Sequence, residues 1–204
     1  MIKLGFFGGT FDPPHIGHLI LASEGQYQLG LQQLDWILTP LPPHKKAQEI
    51  TPAEIRLKMI QQVVEKDSQF QLSRIDLDRP APHFTADTME ILRERLPGAE
   101  ITYLVGEDSL RDLPNWHDPL RFLANIDQLA VLERPGIITD IQELDEELPG
   151  LKDLVTILKG PKLEISSSDI RRRIAAGRPY RFFVLEETFR TIETHSLYAS
   201  QQTE

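Results

Sequence analysis

The chain has 204 residues, 40% of them apolar and 26% charged, which is enough for one hydrophobic core and ordinary for a globular protein. It contains no cysteine, which excludes disulfides and thiolate metal sites, and no run approaches the roughly 20 apolar residues of a membrane-spanning helix. A formal charge of -9 repels nucleic acid and anionic membranes, so a phosphate site must be a local exception and the expected partner is a small molecule.

Ile2 to Phe7 is apolar apart from Lys3 and stops at Gly8-Gly9-Thr10, the pattern of a buried parallel strand and a tight turn. This apolar stretch is too short for a signal peptide, and a cytoplasmic address is expected. Gly17 to Leu29 reads as a helix stopped by Gly30, and Leu34 to Leu38 as a second strand. Pro40, Pro42 and Pro43 then force an irregular loop through His44 and Lys45. Thr51-Pro52-Ala53-Glu54 has the order of a helix start, with a hydroxyl cap, a proline in the first turn and a glutamate three residues on. That helix is expected to reach about Lys66.

Phe70 to Leu77 alternates apolar and polar residues and predicts a strand. Asp87 to Leu96 predicts a helix, Ile101 to Val105 and Leu129 to Leu132 further strands, and Val155 to Leu158 another. The acidic segment Thr139 to Leu148 reads as a solvated excursion, and the polar tail after Ala199 as frayed. Helices over Ser168 to Ala176 and Glu186 to Thr194 complete the chain. The alternation of strand and helix predicts an α/β fold with a parallel sheet covered on both faces. A single domain over 1–204 is expected, with a short helical part at about 166–198.

The stretch with most chemical content is G-G-T-F-D-P-P-H-I-G-H, Gly8 to His18. It follows a strand, and ligands of open parallel sheets sit beyond the carboxyl ends of strands. Glycines let backbone approach a phosphate, and the N–H groups of Thr10 and Phe11 could donate to it. His15 and His18, three residues apart around a helix start, can face one ligand. No third ligand stands at zinc-like spacing, so no resident metal is expected, and the glycine pattern differs from the G-x-G-x-x-G dinucleotide fingerprint. Ile165-Ser166-Ser167-Ser168-Asp169-Ile170-Arg171 puts hydroxyls at a second helix start, where any serine could simply be a cap. Arg171, Arg172 and Arg173 fan around the axis at about 100° per residue, so one can face a site while the others meet solvent or carboxylates.

The first motif resembles the H-x-G-H motif of the adenylyl- and cytidylyltransferases, and the second resembles their I-S-S-T-x-I-R motif, with Ser168 at the threonine position. The resemblance implies a Rossmann-like, doubly wound nucleotidyltransferase fold. It also implies that Gly8, Gly9, Thr10, Phe11, His15, His18 and Asp108 serve ATP, with Ser167 or Ser168 and Arg171 on its β- and γ-phosphates. His15, His18 and Arg171 would be the catalytic residues, and Mg²⁺ would accompany ATP.

Between the motifs, Pro40 to Lys45, Val105 to Trp116, Arg134-Pro135-Gly136 and the ending through Tyr198 resemble the bacterial nicotinate mononucleotide adenylyltransferases, over nearly the whole chain. By that resemblance Lys45, Phe84, Thr85, Trp116 and Arg134 would bind nicotinate mononucleotide. The family commonly reads S-Y-T where this chain has His83-Phe84-Thr85, which keeps a ring but loses a hydroxyl. A homo-oligomer is compatible with the sequence. The rival readings are an enzyme accepting both nicotinate and nicotinamide mononucleotides, a pantetheine-phosphate adenylyltransferase, a cytidylyltransferase, and a non-catalytic ATP sensor.

Overall fold

A computed structural model describes residues 1–42, 50–133 and 139–199. Strands β1 (Lys3–Gly9), β2 (Gln33–Leu38), β3 (Phe70–Ser73), β4 (Glu100–Gly106), β5 (Gln128–Leu132) and β6 (Val155–Leu158) form one sheet in the order β3-β2-β1-β4-β5-β6. Every pairing is parallel. Strand order therefore reverses between β1 and β4, and a crevice opens there at the carboxyl ends.

Alternation along each central strand explains the two faces. Phe6, Tyr103, Val105, Leu129 and Val131 enter one core, while Phe7, Leu104, Ala130 and Leu132 enter the other. Helices α1 (Ile16–Leu29) and α2 (Ala53–Val64) bury Leu21, Ala22, Ile60 and Val63 in the second core. Helices α3 (Thr85–Arg95), α4 (Glu107–Arg111), α5 (Pro119–Ala124), α6 (Ile141–Glu147) and α7 (Leu151–Leu154) cover the first, through Met89, Leu110, Phe122, Leu144 and Leu151. Both faces are buried, as a parallel sheet requires. A third cluster, built on Met59, Ile170, Tyr180, Val184 and Ile192, seats α8 (Ser167–Ala175) and α9 (Glu186–Thr194) against α2. No helix among the described residues is long and apolar enough to cross a membrane.

Three local expectations are corrected. The strand predicted over Phe70 to Leu77 ends at Ser73. Asp76 turns inward to accept from Thr88 at 2.8 Å and Arg79 at 3.0 Å, and this local network replaces the ladder. The acidic excursion is helix α6: Asp140 caps it by accepting from the N–H groups of Gln142 and Glu143, and Leu144 and Leu148 bury one stripe. In α2 the capping position falls on Pro52, and the backbone carbonyl of Thr51 accepts from Arg56 instead.

Candidate active site

A cavity of about 870 Å³ fills the crevice. Its floor comes from the ends of β1 (Phe7, Gly8, Gly9), β4 (Val105, Gly106) and β5 (Leu132), with Thr39 just beyond β2. None of the described residues lining it is lysine or arginine. Positive potential comes instead from backbone: Gly17 and His18 line it from the first turn of α1, and Thr85 opens α3 on its other side. First-turn N–H groups lack helical partners and carry the positive end of the helix dipole, so two long helices present anion-binding ends to one space.

The first motif builds one end of the cavity. Gly8, Gly9, Thr10 and His18 line it, whereas Phe11 is 2% exposed and its ring points inward. Phe11 lies edge-on to His18 with centroids 5.1 Å apart and contacts Phe7 and Trp36, so an aromatic bed supports the imidazole. His15 and His18 are stacked at 3.6 Å with planes 15° apart, and the His15 N–H donates to His18 Nδ1 at 3.2 Å. Only His18 lines the cavity; His15 is buried behind it. The glycine between them leaves the stack room, because a Cβ on Gly17 would lie 3.1 Å from the His15 ring, a tight contact.

The second motif braces the loop of the first; Ile165 lines the cavity, but its serines and Arg171 do not. Ser166 caps α8, accepting from the Asp169 N–H. The Ser167 hydroxyl donates to the Pro13 carbonyl at 2.8 Å, and Arg171 Nη1 donates to the Asp12 carbonyl at 2.7 Å. Arg171 Nη2 reaches the Ser168 hydroxyl at 3.4 Å on the exposed side. Arg173 pairs with Asp169 at 2.7 Å and lies over the Phe183 ring, and Arg172 is exposed. The fan of three arginines thus sends one toward the loop, as helical geometry demands.

The far end of the cavity is aromatic. Phe84, Thr85 and Trp116 line it together with His83 and His117, and Asp108 lines it from the first turn of α4. Phe84 stacks on His117 with centroids 3.8 Å apart and planes 22° apart. Trp116 is half-buried against Tyr103 and Phe122. The Tyr103 hydroxyl lies within hydrogen-bonding reach of the Gly8 backbone and the Thr85 side chain, and burial holds it protonated, far above the usual tyrosine range. One phenol thus ties the glycine turn to the start of α3. His83 falls in the stretch that departs from the family pattern, whereas the sequence reading gives no site role to His117 or to Tyr103, which reads there as plain strand core. Lys45 and Arg134 lie outside the described residues.

Residues 6–173 match the family described as cytidylyltransferase-like. A probable nicotinate-nucleotide adenylyltransferase of Thermomicrobium roseum is 42% identical, over 97% of this chain and 92% of the relative. The nicotinate-nucleotide adenylyltransferase of Bacillus subtilis is 32% identical, over 98% of this chain and the whole of the relative. Among solved structures, the fold is similar to nicotinic acid mononucleotide adenylyltransferase of Plasmodium falciparum complexed with NaAD, with a TM-score of 0.81 and 18% identity over 97% of this chain and 98% of the other.

Proposed function

The chain belongs to the cytidylyltransferase-like family and, within it, to the nicotinate-nucleotide adenylyltransferases, and from that premise we infer that it transfers the adenylyl group of ATP to nicotinate mononucleotide. The products are nicotinate adenine dinucleotide and pyrophosphate. The observation that carries this reading is the single cavity joining Gly8–Thr10 and His18 at one end to Phe84, Thr85 and Trp116 at the other. Such a space suits two substrates meeting head to head.

A 5′-phosphate oxygen of the mononucleotide attacks the α-phosphorus of ATP, the bond to the bridging oxygen breaks, and pyrophosphate leaves. The nucleophile is an anion at neutral pH, so no general base is required, and alignment and charge stabilisation supply the rate. His18 donates to the phosphate oxygens, with His15 stacked behind it fixing its plane. The N–H groups of Thr10 and Phe11 and the first turn of α1 receive the triphosphate. Arg171 and Ser168, on the exposed side of the loop, meet its β- and γ-phosphates. Lys45 and Arg134 are assigned to the mononucleotide by resemblance alone.

A divalent cation fits this site as a companion of the nucleotide. No cluster of three or more metal-binding side chains occurs among the described residues, but Asp108 places a carboxylate on a cavity whose described lining has no lysine or arginine. Mg²⁺ is commonly held by one or two carboxylates plus substrate phosphates. We assign that carboxylate to Asp108, and the ion would neutralise charge on the transferring phosphates.

The nicotinate ring lies among Trp116, Phe84 and His117, and its carboxylate takes the free N–H groups at the start of α3, beside Thr85. The test is pyrophosphate release with ATP and Mg²⁺, comparing nicotinate mononucleotide, its nicotinamide counterpart and phosphopantetheine. The expected result is strong preference for the nicotinate form. Equal use of both pyridines would make the enzyme dual-specific, and ATP binding without pyrophosphate from any acceptor would overturn the reading.

A further inference from the structure

The loop Thr10–Pro13 is held from behind by groups that face away from the cavity. Arg56 on α2 is 1% exposed, and its guanidinium donates to four carbonyls: Thr51 at 2.7 Å, Thr10 at 2.8 Å, Thr39 at 3.0 Å and Pro40 at 2.7 Å. It therefore clamps the chain where β1 and β2 leave the sheet, using the fixed fork that only arginine offers. Asp12, 3% exposed, accepts from the Tyr198 hydroxyl at 2.6 Å and from the Thr51 N–H at 3.4 Å. Its own carbonyl is the one that Arg171 meets.

The last turn of the described chain thus closes on the first loop. Tyr198, which meets this carboxylate, and Phe11, the residue before it in the chain, both have positive φ, 62° and 47°. Residues with side chains adopt that conformation only where surroundings impose it. Burial and the neighbouring Asp12 hold the Tyr198 phenol protonated, so it stays a donor.

We propose that Tyr198 and Arg56 are positioning residues for adenylyl transfer, forming with Asp12 a latch by which the C-terminal turn fixes the backbone of Thr10 and Phe11 for the triphosphate. The inference rests on the function proposed above. Through Tyr198 and Asp12 the latch acts on the ATP end of the cavity, since their hydrogen bonds join Thr51, Asp12 and Arg171 and not α3, Trp116 or His117. Arg56, by contrast, also holds the carbonyls of Thr39 and Pro40, which precede Lys45 in sequence. A merely structural role would lower stability and affect both substrates alike.

The experiment compares the full chain with Tyr198→Phe, which removes one oxygen and keeps the ring, and with Arg56→Lys. KM for ATP is expected to rise about tenfold in Tyr198→Phe, the size carried by one hydrogen bond to a charged group. KM for nicotinate mononucleotide should stay within about twofold of the unsubstituted chain on the same scale. Arg56→Lys should move KM for ATP further in the same direction; if it does not fold, Tyr198→Phe decides alone. An unchanged KM for ATP, or equal rises for both substrates, in Tyr198→Phe overturns the latch. If the unsubstituted chain releases no pyrophosphate with any acceptor, the functional reading fails separately. The latch is then judged on the ATP dissociation constants of the unsubstituted chain and Tyr198→Phe by calorimetry, where equal values overturn it and a rise of about tenfold supports it.

Discussion

A Cβ built on Gly8 would lie 2.2 Å from the Tyr103 hydroxyl, so the first glycine of the phosphate turn and the phenol on the neighbouring strand exclude each other's enlargement. Gly8→Ala is therefore expected to destabilise by about 1–3 kcal/mol through overpacking and to displace the turn. Tyr103→Phe removes the obstructing oxygen, after which the nearest ring carbon stands at 3.3 Å. The double variant should recover part of the stability lost in Gly8→Ala. A double-mutant cycle by thermal unfolding checks this, and strict additivity would refute it.

The stacked histidines give a second expectation. His18→Ala should lower kcat about a hundredfold or more, as loss of a donor to developing charge does. Gly17→Ala adds no charge and removes no donor, yet its methyl group would stand 3.1 Å from the His15 ring. Its kcat should fall about tenfold with little change in melting temperature. Steady-state pyrophosphate release measures both, and a Gly17→Ala enzyme with full turnover would contradict the supporting role of His15.

Trp116 tests the aromatic end of the cavity alone. Trp116→Ala should raise KM for the mononucleotide by about tenfold, the value of a lost aromatic stack, while KM for ATP changes little. Trp116→Phe, which keeps a ring against Tyr103 and Phe122, should sit between. A parallel rise in both KM values would show that the tryptophan acts through packing alone.

His83 sets a pH dependence. Burial is the main cause that lowers its pKa below the ordinary 6.5, with Arg79 acting in the same direction and Asp76 opposing both. Its folded form thus resists protonation, so the unfolded chain binds the proton more readily. Stability should be full above pH 6.5 and fall as pH drops from there toward the lower folded value. His83→Asn should lose less melting temperature between pH 7.5 and pH 5.5 than the unsubstituted chain. Identical slopes for the two proteins would refute the assignment.

Much of this was legible because the informative signals were local. An apolar run stopped by two glycines makes β1 and its turn, and a histidine beside a helix start makes His18. Serines before an arginine predict α8, although which serine caps depends on the loop it meets, and Ser166 takes the cap while Ser167 serves Pro13. Arg56 had a local signal that went unused. It shares a helical face with Met59, Ile60 and Val63, all buried, so a charged residue occupies a core position. The stack of Phe84 on His117 and the bond from Tyr198 to Asp12 had none, since both join residues distant in sequence. Helix α6 was hidden because its one buried leucine, Leu144, is outnumbered by carboxylates.

The sheet tapers. Its central strands β1 and β4 are seven residues long, and both edges, β3 and β6, have only four. Short edges offer little template for pairing with another chain, which limits edge-to-edge aggregation. The same taper puts the phosphate turn at the end of β1, whose Lys3–Phe6 stretch pairs with β4 and whose Leu4–Gly9 stretch pairs with β2, so that Gly8 and Gly9 are laddered on one side and face the crevice on the other. Amides of Leu4, Gly5 and Phe6, paired on both sides just before that turn, should be among the last to exchange with deuterated solvent, opening only with the whole fold. The backbone that must hold still for chemistry is thus anchored where local fraying arrives last.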